Sequence, residues 1–153
     1  MKPKSYRRKS SRRTLRKPAP EISTPDPAAA QVVEDVLAEL PQLLAVAVVD
    51  VASGACLAAC SSSAAIDPST AAAYNAEVVR QKQKAMAALQ LQDEQIEDIL
   101  ITLSSQLHLL QLTPTGNRLI YLIVKAQDTS LALAREVLRS QVSQLELVAD
   151  EAN

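Results

Sequence analysis

Between Ile96 and Gln144 the apolar positions come first in three short blocks and then at helical spacing. The blocks are Ile99–Leu103, Leu107–Leu112 and Leu119–Val124. They are separated by Ser104-Ser105-Gln106 and by Thr113-Pro114-Thr115-Gly116-Asn117. This pattern predicts three consecutive antiparallel strands. In the second and third blocks both alternations are mostly apolar, so these strands belong inside a sheet. Across Ile96–Ser104 one alternation carries Ile99, Ile101 and Leu103 and the other Asp98, Leu100 and Thr102, which predicts a half-exposed edge strand. Leu131, Ala134, Leu138, Val142 and Leu145 then recur on one face of a helix. Thr129 is its expected N-cap, and residues 148–153 are expected to fray.

The first half reads in the same way. Val32, Val33, Val36, Leu37 and Leu40 have helical spacing over Ala28–Leu40, and Pro41 stops the helix. Leu43–Val51 is apolar on both alternations, as in a strand covered on both faces. Asp50-Val51-Ala52-Ser53-Gly54 reads as a hairpin turn, with Gly54 supplying a positive φ, and Ala55–Ser61 returns as the second strand. Asp67 caps and Pro68 opens the longest helix, which is expected to run to about Leu91. The predicted order is α-β-β-α-β-β-β-α, an α+β fold. It comprises a tail and Pro-rich linker over 1–26, a domain over 27–147 and a short C-terminal end.

The longest helix has two apolar stripes. Ala71, Tyr74, Val78, Ala85 and Leu89 are expected to face the sheet. Ala72, Ala76, Val79 and Met86 form a second, small-residue face that allows another helix to approach closely, and so predicts a contact between subunits. Together with the edge positions Ile99, Leu100, Ile101 and Thr102, they are the expected interface of a homodimer joined edge to edge.

Composition changes this picture in two places. With three Tyr, no Phe and no Trp, the core must be built from Leu, Ile, Val and Ala. The net charge of −1 hides a division. Residues 1–18 hold nine cations and no acid (Lys2, Lys4, Arg7, Arg8, Lys9, Arg12, Arg13, Arg16 and Lys17), leaving seven basic residues against all 17 acids in the remainder. Such a head can neutralise phosphates without reading sequence, or meet anionic lipid headgroups. Against this stands a solubilising tail that folds back on its own acidic domain. No apolar run of signal-peptide or membrane-spanning length follows the head, so a cytoplasmic location is expected.

Candidate chemistry is sparse. Two glycines, Gly54 and Gly116, cannot build a phosphate-cradling loop. His108 is the only histidine and lies between leucines in mid-strand, which is the setting of a core or half-buried histidine. Glu97 and Asp98 are adjacent in a strand and are expected on opposite faces, which rules out an acid–base pair. Cys56 and Cys60, four apart in a strand, are expected on one face about 13 Å apart, too far for a disulfide. One His and two Cys are too few soft ligands for a closed zinc site. No enzyme, cofactor or metal is expected. Arg80, Lys82 and Lys84 are a solvated helix face, or contacts for an acidic protein partner.

The ordered set of Leu44–Asp50 with its Ser53-Gly54 turn, Ala76–Arg80, Ile96–Thr102, Gln106–Leu110, Ile120–Val124 and Leu131–Arg135 resembles the Roadblock/dynein light chain family over roughly residues 28–146. Ser104-Ser105 departs from the glycine often found in that strand turn. The resemblance implies a five-stranded antiparallel sheet with the long helix on one face and the terminal helices on the other. It also implies a homodimer pairing third strands and long helices, and a regulatory or scaffold role beside a small Ras-like GTPase. The alternative is a dimeric adaptor whose basic arms bind nucleic acid or anionic membrane.

Overall fold

The computed structural model describes residues 26–151, with side chains through Glu146. The nine cations of the basic head and most of the Pro-rich linker lie outside the described residues. Asp26 opens α1 (Pro27–Glu39): its carboxylate accepts the amides of Ala28 and Ala29 at 3.0 and 3.1 Å, and Pro27 takes the first helical position, where no amide is needed. The other carboxylate oxygen sits 3.0 Å from the Arg118 guanidinium, tying the start of the domain to the sheet.

The strands are β1 (Ala45–Asp50), β2 (Cys56–Ser61), β3 (Asp98–Thr102), β4 (Gln106–Leu112) and β5 (Arg118–Lys125). They form one antiparallel sheet in the order β2-β1-β5-β4-β3. β1 and β5 are central and buried on both faces, which is what their uninterrupted Val, Ile and Leu runs require. β3 is an edge, as its one-sided pattern predicts. The β1–β2 turn has Gly54 at φ +72° and the Asp50 carboxylate accepting from the Ser53 amide and hydroxyl at 2.8 and 2.7 Å.

Two helices cover one face of the sheet. α1 and α3 (Leu131–Glu151) bury Val32, Val36, Leu138 and Leu145 against Val46, Val48, Leu109, Ile120 and Leu122. α2 (Pro68–Ala88) covers the other face, burying Ala72, Ala76 and Val79 against Ala45, Ala47, Val49, Leu119 and Tyr121. α2 ends three residues before Leu91 because Gln90 turns left-handed at φ 59° and the Leu91 amide reaches back to the Met86 carbonyl at 2.9 Å. A glutamine fills the position glycine usually takes in this motif. α3 starts one residue later than expected: the Ser130 hydroxyl, not Thr129, faces the Leu133 amide at 3.5 Å. Its helical backbone runs to Glu151, past the predicted fraying point.

Two local expectations are corrected. The β1–β2 pairing shifts register between Val48 and Val49. This bulge puts Cys60 on the α1/α3 face and Cys56 on the α2 face instead of leaving them on one side. Glu97 lies just before β3, so strict alternation does not apply to it. It reaches Arg139 at 3.7 Å while Asp98 binds Arg135, and both acids therefore engage α3.

Candidate interaction surface

α2 lies over β2, β1 and β5, and among the described residues no helix lies above the β4–β3 half of the same sheet face. Alternation places Ile99, Ile101 and Leu103 of the edge on this side, beside Gln106 and His108 of β4. None of these five is fully buried, and Leu103 is exposed. Between α2 and β3 runs a groove of about 890 Å³, lined among others by Val78, Lys82, Met86, Leu91, Ile96 and Ile99. Tyr74, 74% exposed, and Leu89, 64% exposed, continue the apolar surface along the outer side of α2. The result is a strip of large side chains next to an unpaired strand edge.

The large residues of α2 reverse the sequence expectation, while Ala71 packs on the sheet side as expected. Ala72, Ala76 and Val79, expected at a subunit contact, are each 0% exposed and pack on their own sheet. Tyr74, Val78 and Leu89, expected against the sheet, face outward. The hairpin explains the inversion. A Cβ on Gly54 would lie 3.5 Å from the Ala73 Cα and 3.8 Å from the Ala76 Cβ, so only small side chains let helix and hairpin come this close. Of the other expected interface residues, Met86 and Ile99 line the groove. Ile101 is half-buried on the α2 face, Leu100 packs toward the α1/α3 core, and Thr102 is exposed.

The basic positions of α2 also separate. Arg80 is not free for a partner. Its Nη1 donates to the Val51 carbonyl at 2.6 Å and to the Ala52 carbonyl at 3.3 Å, while Nη2 pairs with Glu77 at 2.6 Å. It clamps the hairpin tip to the helix. Lys82 lines the groove and Lys84 is exposed. On the opposite face of the sheet, Arg135 makes a two-pronged contact with Asp98, both prongs at 3.0 Å, and so fixes β3 to α3. That contact ties the first residue of the edge strand to α3.

Among the described residues the chemistry-bearing side chains sit apart. The His108 ring lies between the Tyr121 hydroxyl, 2.7 Å from Nδ1, and the Gln106 side-chain oxygen, 3.0 Å from Nε2, with no carboxylate partner. Burial holds its pKa below the ordinary value. Cys56 and Cys60 are free and half-buried, and burial pushes the Cys56 thiol up, away from the reactive thiolate. Burial draws the Asp50 carboxyl upward, but its Ser53 hydrogen bonds and nearby Arg118 outweigh that and keep it below the ordinary range. Among the described residues no three His, Cys, Asp or Glu side chains lie close enough to hold a metal ion, and no helix is long and apolar enough to cross a membrane.

Solved structures share this fold. Gliding protein MglB from Thermus thermophilus superposes with a TM-score of 0.66 at 18% identity, over 84% of this chain and 93% of that one. A Roadblock/LC7 domain from Streptomyces avermitilis gives 0.64 at 11% identity, over 78% and 95%. Myxococcus xanthus MglB gives 0.61 at 17%, over 81% and 86%. No family model and no curated protein sequence matches the chain. The architecture is that of Roadblock/LC7 structures, and at these identities the likeness establishes the fold.

Proposed function

We propose that this chain, an α+β fold of Roadblock/LC7 type, is a non-enzymatic homodimeric regulatory or scaffold module that works beside a small Ras-like GTPase. The observation that carries the reading is the half-covered sheet face: an apolar helix crest, a groove and an unpaired strand edge lie side by side on one surface. A second copy fits this surface in kind. Two β3 edges related by a two-fold axis satisfy each other's backbone groups and bring the two α2 crests together. Tyr74, Val78, Leu89, Met86, Ile99 and Ile101 become the expected contacts, replacing Ala72, Ala76 and Val79. The GTPase assignment follows from the fold resemblance, and Lys84 is the cation of α2 left outside both the hairpin clamp and the groove.

The direct test is titration calorimetry of the purified chain against Ras-like GTPases of the same genome, each loaded in turn with GDP and with a non-hydrolysable GTP analogue. Binding that differs between the two nucleotide states is expected for at least one of them. Failure of all of them in both states overturns the GTPase reading.

A second reading rests on the charge division. Nine cations in 18 residues, ahead of an acidic domain, fit an arm for polyanions, doubled by dimerisation. Deleting residues 1–18 should then abolish binding to duplex DNA, RNA or anionic vesicles, and binding of the full chain should weaken steeply with salt. No binding by either form at low salt removes this reading.

A further inference from the structure

The end of α2, the connection that follows it and the β4–β5 turn enclose a second cleft, of about 320 Å³. Its walls are partly apolar, with Met86, Leu91, Ile96, Leu112 and Pro114, and partly polar, with Gln92, Gln95 and Glu94. Leu112 is buried, Met86 and Ile96 are half-buried, and Glu94 is exposed at the rim. Tyr74, Val78 and Ile99 do not line this cleft, so the helix crest and the strand edge remain open to a second copy.

The cleft is negative. No cation lines it, and residues 89–97 carry Asp93, Glu94 and Glu97 without a basic residue. Among the described residues no cation pairs with Asp93 or Glu94, and Glu97 has only Arg139 at 3.7 Å. α2 ends here with no basic residue in its last turn, so the partial negative charge of its C-terminus adds to the carboxylates. An apolar floor under an acidic rim suits long cationic side chains, whose stems pack while their heads meet the rim.

The chain enters the domain beside this cleft. The Asp26 carboxylate lies 3.0 Å from the Arg118 guanidinium. The Arg118 carbonyl accepts the Thr113 amide at 3.0 Å and its hydroxyl at 3.1 Å, and Thr113 lines the cleft. Eight residues, 18–25, separate Lys17 from Asp26. They can span up to about 26 Å at ~3.3 Å per residue, enough to pass round the end of the sheet between layers ~10 Å apart.

We infer that this cleft is the docking site of the chain's own basic head. Arg12, Arg13, Arg16 and Lys17 meet the rim carboxylates and the α2 C-terminus, and Leu15 takes the apolar floor. The short connection sets the head's effective concentration on the order of millimolar, so contacts too weak to hold a free peptide suffice. The inference rests on neither reading above, because docking here neither requires nor blocks association through β3.

The test uses the full chain. At about 0.01 M salt, Arg12→Gln, Arg13→Gln, Arg16→Gln and Lys17→Gln together should move the NMR amide signals of residues 83–96 and 112–116 and leave those of α1 in place. Raising salt to about 1 M, which shortens screening from roughly 30 Å to roughly 3 Å, should reproduce these shifts in the unsubstituted chain but not in the variant. Carbodiimide crosslinking at low salt, in a mixture of unlabelled and ¹⁵N-labelled chains, should join Lys17 to Asp93, Glu94 or Glu97 of the same chain. Cleft signals that ignore the four replacements, or Lys17 joined chiefly to Glu34, Glu39 or Glu136, overturn the assignment. Links between differently labelled chains overturn docking within one chain.

Discussion

Val79→Ala distinguishes the observed orientation of α2 from the one its sequence suggests. Val79 is 0% exposed and packs with Ala72, Ala76 and the β1 and β5 side chains. The substitution removes two methyl groups from that core, about 1.6 kcal/mol at roughly 0.8 kcal/mol per buried carbon. The unfilled space raises the cost to about 2–3 kcal/mol. For a domain of this size that lowers Tm by roughly 10 °C. Tyr74→Ala is the companion. Its side chain is largely exposed in the single chain, so the fold should lose no more than about 0.5 kcal/mol, whereas self-association should weaken by about 2 kcal/mol if Tyr74 anchors the dimer. Calorimetry for stability and sedimentation equilibrium for association, run on both variants, separate the two effects. Val79→Ala with unchanged stability and impaired association would refute the reasoning and return the small-residue stripe to the subunit contact.

Three further substitutions probe the parts that position the surface. Arg80→Met deprives the Val51 and Ala52 carbonyls of their donor; with a third of the side chain exposed, the loss should be about 1–2 kcal/mol, with faster amide exchange confined to the hairpin. Gly54→Ala forces an L side chain to φ +72° beside Ala73 and should cost about 1 kcal/mol or more by denaturant titration. Glu146 is held below its ordinary 4.5 by the Thr115 amide and hydroxyl, so its contribution is present above that value and is lost as pH falls through the lowered one. In Glu146→Gln stability near neutrality should fall slightly and the acid limb of the stability–pH curve should flatten, the two curves converging at low pH.

Element order, the sheet faces of the terminal helices and the exposed edge were legible because each rests on local periodicity. Ile99, Ile101 and Leu103 on one alternation identify β3 as an edge without reference to anything else. The phase of α2 was not legible, since alanine occurs on both stripes and bulk alone favours burying Tyr74 and Leu89. What decides it is how closely the hairpin at Gly54 approaches, a tertiary fact. Cys56 changes face because of one bulged step, which leaves no mark in residue types. Arg80 looks like surface charge in the sequence because its acceptors, the Val51 and Ala52 carbonyls, lie 29 and 28 positions away. The Tyr121–His108–Gln106 chain needs the β4–β5 register, and no spacing rule in the sequence supplies it.

Association through the half-covered face is the claim on which the rest depends, and the solution mass of the chain tests it most directly. Light scattering behind size exclusion, at neutral pH and low micromolar concentration, should return twice the chain mass of 16.4 kDa. The same measurement on Tyr74→Glu with Ile101→Asp, which places charge on the helix crest and beside the edge, should return 16.4 kDa with the fold retained. A wild-type chain that stays at the single-chain mass, or a doubly charged variant that remains a dimer, would contradict the account.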